Sequence, residues 1–220
     1  LAIGLAPLSG ALLGLIAVVT LTFALAGVWL NFGVHELADT TESLLVIGGF
    51  GVFLAGAGAF VSRRLGLASA GTETSDPRLL AAAPGMSAIL PCLLLIMLVQ
   101  RLQPANPSAI YAVAAGLCLA LLALVRWTGF TSLAAAGLGA VGLLQWTWLA
   151  AAFRPETGAS VPLLWNAGFC ALFAGFPFLF TQRFAERRLP WTVAALSGVI
   201  HFPLAYLVVK RALPDVPLGL

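Results

Sequence analysis

Residues 109–152 read AIYAVAAGLCLALLALV, then RWTG, then FTSLAAAGLGAVGLLQWTWLAAA. Two apolar runs, 109–125 and 130–152, flank a short turn, and Arg126 is the only charge in the whole stretch. A run of about 20 apolar residues carries a helix across the roughly 30 Å of bilayer hydrocarbon. A hairpin built of two such runs has no polar side to turn towards water. Its natural solvent is lipid, and the fold class it predicts is all-α, a polytopic transmembrane bundle.

The same pattern recurs outward from this hairpin. Further apolar runs at 8–30, 43–61, 79–99, 161–181 and 191–209 bring the expected number of spans to seven. Pro84 and Pro91 fall inside the third run and should kink it. Residues AVILMFWYC make up 61% of the chain and charged residues 9%, at a mean hydropathy of +1.04. A soluble surface commonly needs about a quarter charged residues. With 11 basic and 8 acidic residues, the 220-residue chain can cover the two ends of a bundle, not a whole surface. The short alternating segments of a membrane barrel are missing.

The net charge of +3 comes from basic residues standing singly or in pairs at span ends. That is not the basic stripe of a nucleic-acid binder, and no nucleic-acid partner is expected. Cys92, Cys118 and Cys170 lie within apolar runs without metal-ligand spacing, and read as buried thiols. The first residue is Leu1, and Pro217 to Leu220 look like the start of another apolar segment. Residues 1–220 therefore read as one transmembrane helical domain cut from a longer multi-span protein. Its expected partners are the lipid bilayer and the rest of its own longer chain or other membrane helices.

Basic residues in short loops set orientation, because they stay on the cytoplasmic side. Loops 2/3, 4/5 and 6/7 hold Arg63, Arg64, Arg78, Arg126, Arg183, Arg187 and Arg188; the opposite side holds Arg101, Arg154, Lys210 and Arg211. The expectation is a bacterial cytoplasmic membrane protein with the N-terminal end inside and the C-terminal end outside. Trp29, Trp146, Trp148 and Trp165 then fall near the outer interface, and Trp127 and Trp191 near the inner one, as aromatic belts do.

An internal repeat shows at an offset of 119 residues. Trp29 matches Trp148, Gly49 and Phe50 match Gly168 and Phe169, Arg64 matches Arg183, and Pro84 matches Pro203. Apolar residues match cheaply, so chance is the competing explanation; the Trp, Phe, Arg and Pro pairs resist it. Candidate units are 1–125 and 126–220. A four-span unit puts both copies the same way up, a parallel rather than an inverted repeat.

No Asp, Glu, Lys or Arg lies mid-span, which counts against an ion-coupled carrier. The polar exceptions are Gln145, Asn166 and His201, on three consecutive spans and at or just outward of mid-depth. They form either a candidate outward-facing pocket or interhelical glue, worth about 1 kcal/mol or less per hydrogen bond. Glue is the favoured reading. His201 should point into the bundle, and Pro203 frees the Val199 carbonyl for some polar partner.

The loop after the first span holds His35, Glu36, Asp39 and Glu42. His35 and Asp39 at i, i+4 invite a metal reading, but the final ligand is wrong for H-E-x-x-H and no third ligand is evident. Helix capping explains Asp39 and Glu42 more simply, since they stand at N-cap and N3 spacing. No metal and no cofactor are expected. Gly48, Gly49, Gly51, Gly137 and Gly142 suit close helix contact, and lack the Lys-Ser/Thr sequel of a phosphate loop.

The stretch FLFTQRFAERRLPW at 178–191, followed by GVIHFP at 198–203, resembles a family of bacterial membrane proteins described as domain of unknown function 2339. The resemblance covers about the last forty residues. It implies a many-helix envelope protein and carries no catalytic residues with it. Three functions follow in order of preference: a non-enzymatic envelope scaffold or partner-binding domain, a transporter or lipid-handling protein using the Gln145, Asn166 and His201 pocket, and a membrane-embedded transferase using the acidic outer loop. A carrier needs a polar cavity at mid-depth; a scaffold should be filled there.

Overall fold

The structure, a computed structural model, describes residue 17 and residues 20–33, 40–69 and 77–213, with backbone alone for 54–55, 57–69 and 77–88. The described residues are helical with no strand among them. The elements are α1 (Thr20–Gly33), α2 (Thr40–Ser69), α3 (Pro77–Leu102), α4 (Ser108–Thr128), α5 (Ser132–Ala151), a 3₁₀ turn (Pro155–Thr157), α6 (Ser160–Leu179), the short α7 (Thr181–Phe184) and α8 (Arg188–Ala212). Four of them, α4, α5, α6 and α8, are each long and apolar enough to cross a membrane. Shorter apolar helical stretches occupy Thr20–Gly33, Thr40–Phe53 and Ile89–Leu102.

The 109–152 hairpin closes as its sequence demands. Gly129 ends α4 in the left-handed conformation at φ 80°, and its N–H bonds the Val125 carbonyl at 2.9 Å. Only glycine takes that conformation without strain. A Cβ there would also come within 3.0 Å of the Arg187 guanidinium. The end of α6 departs from the sequence expectation of one run through 181. The helix stops at Leu179, Phe180 leaves helical geometry at φ −129° and ψ 39°, and α7 starts a new turn.

Laterally, α2 lies along α3 and α6 along α8, while α5 sits between the two pairs, touching α3, α4, α6 and α8. That position explains its burial pattern. α8 buries one seam, Val193, Ser197, His201, Leu204 and Val208, and α6 buries Pro162, Asn166, Phe169, Phe173 and Phe176. These are the three- and four-residue steps of a helix with one inward face. α5 buries Ala134, Gly137, Leu138, Val141, Gly142, Leu144, Gln145, Trp148 and Leu149, a much broader band. Small residues admit close neighbours: a Cβ on Gly142 would meet Ile200 Cγ2 at 2.9 Å, and one on Gly51 would meet Pro91 Cγ at 2.7 Å.

Arginines close the helix ends. The last carbonyls of a helix have no partner within it. Arg183 Nη2 donates to the Trp127 carbonyl at 3.4 Å and Arg187 Nη1 to the Gly129 carbonyl, both at the end of α4. Arg211 Nη1 donates to the Leu149 carbonyl at 2.6 Å, near the end of α5. Cations at helix C-termini are also favoured by the macrodipole.

Candidate functional site

The three polar residues of the apolar spans come to rest inside the bundle. Gln145 is 5% exposed, Asn166 8% and His201 2%. Asn166 and His201 get there because each occupies a step of its helix's buried seam. Gln145 gets there because α5 is enclosed on two sides. Asn166 Nδ2 donates to the His201 carbonyl at 3.0 Å, tying α6 to α8. The carbonyl reached is that of His201, not the Val199 carbonyl that Pro203 releases; Val199 faces outward, 65% exposed. His201 Nδ1 lies 2.8 Å from the Ser197 carbonyl, so Nδ1 carries the proton and Nε2 presents a lone pair. Ser197 Oγ in turn donates to the Cys170 carbonyl at 3.2 Å, a second tie between α8 and α6.

Four polar atoms of the trio are buried with no hydrogen-bond partner among the described residues: Gln145 Oε1, Gln145 Nε2, Asn166 Oδ1 and His201 Nε2. Three of these accept and one donates. The cluster is short of donors, and a buried acceptor left alone costs about 1–3 kcal/mol. A cavity lies against Gln145 and Asn166, walled by Tyr111, Trp148, Leu149, Pro162, Leu204 and Val208. Its volume is about 10 Å³, the size that holds a single water molecule. One water in that space would supply donors that Gln145 and Asn166 lack.

Tyr111 is the residue that sequence reasoning passed over. It is one of two tyrosines in the chain and stands near the start of α4. In the fold it is 2% exposed and packs edge-on against Trp148, Trp165 and Phe169 at centroid distances of 6.0, 6.1 and 6.0 Å. Trp148 departs from the belt expectation. It is 1% exposed, and its Nε1 donates to the Pro104 carbonyl at 2.9 Å, holding the turn between α3 and α4. Trp165 Nε1 donates to Ser108 Oγ at 3.3 Å and Trp191 Nε1 to the Phe184 carbonyl at 3.0 Å. Trp146 and Trp127 stay exposed, as belt residues do.

His35, Glu36 and Asp39 lie outside the described residues; Glu42 stands exposed in the first turn of α2. Among the described residues no cluster of His, Cys, Asp and Glu could hold a metal ion. Cys92 is buried, Cys118 is a buried free thiol and Cys170 a half-buried one. Comparison with family models, with curated proteins and with solved structures finds no match to this chain.

Proposed function

We propose that this chain is a non-enzymatic membrane domain, a scaffold or partner-binding module that crosses a bacterial cytoplasmic membrane seven times. One observation carries the reading: where Gln145 of α5 and Asn166 of α6 face each other beside α8, the space left is about the size of one water molecule. A bundle filled at that depth holds its helices in fixed register and offers its outer faces to neighbours. The four long apolar helices and the three shorter apolar stretches support the span count. The pairing of α2 with α3 and of α6 with α8 supports the 119-residue repeat. The units would then have diverged at their cores, because Trp29 is 42% exposed where Trp148 is 1%, and Phe50 is 50% exposed where Phe169 is 2%. Membership of domain of unknown function 2339, on residues 178–203, stands as part of the same proposal.

Two experiments test it. Reporter fusions after Arg78 and Arg188 are expected to read cytoplasmic, and fusions near Asp39 and Glu156 external; the reverse pattern overturns the orientation, and a failure to change side between adjacent spans overturns the count. Gln145→Cys in membrane vesicles is expected to resist a water-soluble thiol reagent over a time that fully labels Glu156→Cys. The second reading, a carrier with an outward-facing pocket, draws on the donor-poor cluster at Gln145, Asn166 and His201. It requires rapid labelling of Gln145→Cys, so that result replaces the scaffold with the carrier.

A further inference from the structure

At the other end of the bundle a groove of about 370 Å³ opens between α4 and α6. Its walls are Leu119, Leu122, Ala123, Leu172, Phe176 and Leu179, all apolar, and Arg126, Trp127 and Phe180 close its end. It faces outward rather than into the core: Leu119 is 57% exposed, Leu179 78% and Trp127 74%. From Leu119 to Arg126 the groove follows two turns of α4, about 10 Å at the helical rise. The Arg126 guanidinium lies over the Phe180 ring, 5.2 Å from its centroid, with no carboxylate bonded to it among the described residues. Arg183 and Arg187 stand at the same end, each giving a donor to a carbonyl at the end of α4 and having further N–H groups beyond that bond. Across the turns 126–132 and 181–188 there are four arginines and one acid, Glu186.

We propose that this groove binds one anionic phospholipid, an acyl chain lying against Leu119, Ala123 and Leu172 and the phosphate meeting Arg126. The inference rests on the chain spanning a membrane and is independent of whether it acts as a scaffold. The chemistry selects this occupant. The walls offer an alkyl chain apolar contact and nothing else, so affinity for hydrocarbon is unspecific. Selectivity comes from the end, where guanidinium groups meet a headgroup at the depth that the exposed Trp127 marks as interfacial. A phosphatidylcholine headgroup brings its own cation to that cluster; a phosphatidylglycerol headgroup brings net negative charge. A helix from a partner protein would have to bring a buried acid to the same spot.

The test uses the purified full chain in detergent, given equimolar phosphatidylglycerol and phosphatidylcholine of identical acyl chains, with bound lipid read by native mass spectrometry. The first bound lipid is expected to favour phosphatidylglycerol by about fivefold or more, the scale of one basic residue at an anionic membrane surface. Arg126→Gln should bring the two lipids close to parity. Ala123→Trp, which fills the groove, should reduce the first adduct of both. Lys210→Gln, at the opposite end, should leave the preference intact. Equal binding by the wild-type chain, a preference that survives Arg126→Gln, or a groove occupied by a second copy in a stable dimer overturns the site. Should Arg126→Gln fail to fold, the wild-type preference and Ala123→Trp decide alone. Release of the chain from membranes by alkaline carbonate would remove the membrane-spanning reading and this site together; retention without a lipid preference removes the site alone.

Discussion

Trp148→Ala is expected to lower the unfolding free energy in detergent by about 3–5 kcal/mol, the range for truncating a buried Trp. Several contributions combine there. The indole is 1% exposed, so its whole volume becomes a cavity. It packs edge-on against Tyr111 at 6.0 Å and Phe153 at 5.6 Å, contacts worth about 0.5–1.5 kcal/mol each beyond the area they bury. Its N–H is the partner of the Pro104 carbonyl, which loses its bond. The new cavity also merges with the small polar one that Trp148 walls off, so water can reach Gln145. Trp148→Phe separates these contributions: it keeps most of the packing and loses the hydrogen bond, at an expected cost of about 1–3 kcal/mol. Trp29→Ala, 119 residues earlier and 42% exposed, should cost well under half as much as Trp148→Ala. Reversible unfolding in mixed micelles measures all three. Equal losses at Trp29 and Trp148 would show that the environment of Trp148 is not the one described.

Gly51→Leu is the second large effect. Here α2 meets α3 and α4 at one point, and a Cβ on Gly51 would lie 2.7 Å from Pro91 Cγ and 2.8 Å from Leu117 Cδ2. Pro91 is buried and its ring has little freedom to yield. One extra methyl in a close-packed site costs about 1–3 kcal/mol, and leucine adds three more carbons with nowhere to go. The expected result is loss of the monodisperse detergent-solubilised form, or a destabilisation of about 3 kcal/mol or more. Gly49→Leu is the matched control. No atom lies within 4 Å of its added Cβ, the position is exposed, and leucine is the better helix former, so stability should hold or rise slightly. If Gly51→Leu and Gly49→Leu behave alike, α2 does not approach α3 and α4 as described.

Span positions were the legible part of this fold. The runs read at 109–125, 130–152 and 191–209 lie within a few residues of α4, α5 and α8. A long apolar run flanked by charge has one low-energy answer in a bilayer, because every backbone group must be satisfied inside the segment. Lateral order was not legible, for a reason that belongs to the solvent. Lipid is as apolar as a leucine core, so hydrophobicity does not mark which face turns inward. The usable marks are small and polar residues. Ser197, His201, Leu204 and Val208 repeat at steps of four, three and four, and Pro162, Asn166, Phe169 and Phe173 do the same; both seams were open to a reader who looked for them. Tyr111 carries no such mark, and Gln145, though polar, belongs to no single buried seam. Gln145 is buried because α5 is enclosed by α3, α4, α6 and α8, and Tyr111 because Trp148, Trp165 and Phe169 gather round it. Both depend on which helices are neighbours, a property of the assembled bundle.

The arginine caps have a consequence for the order of biogenesis. The carbonyls of Trp127 and Gly129 emerge from the ribosome 56 and 58 residues ahead of Arg183 and Arg187, and that of Leu149 is 62 residues ahead of Arg211. A hairpin entering a membrane in chain order would therefore do so before its end is capped. It is sealed by a cation translated two long helices later, so the later segment acts as a latch on the earlier one. A ribosome that stalls between residues 152 and 183 leaves both ends open.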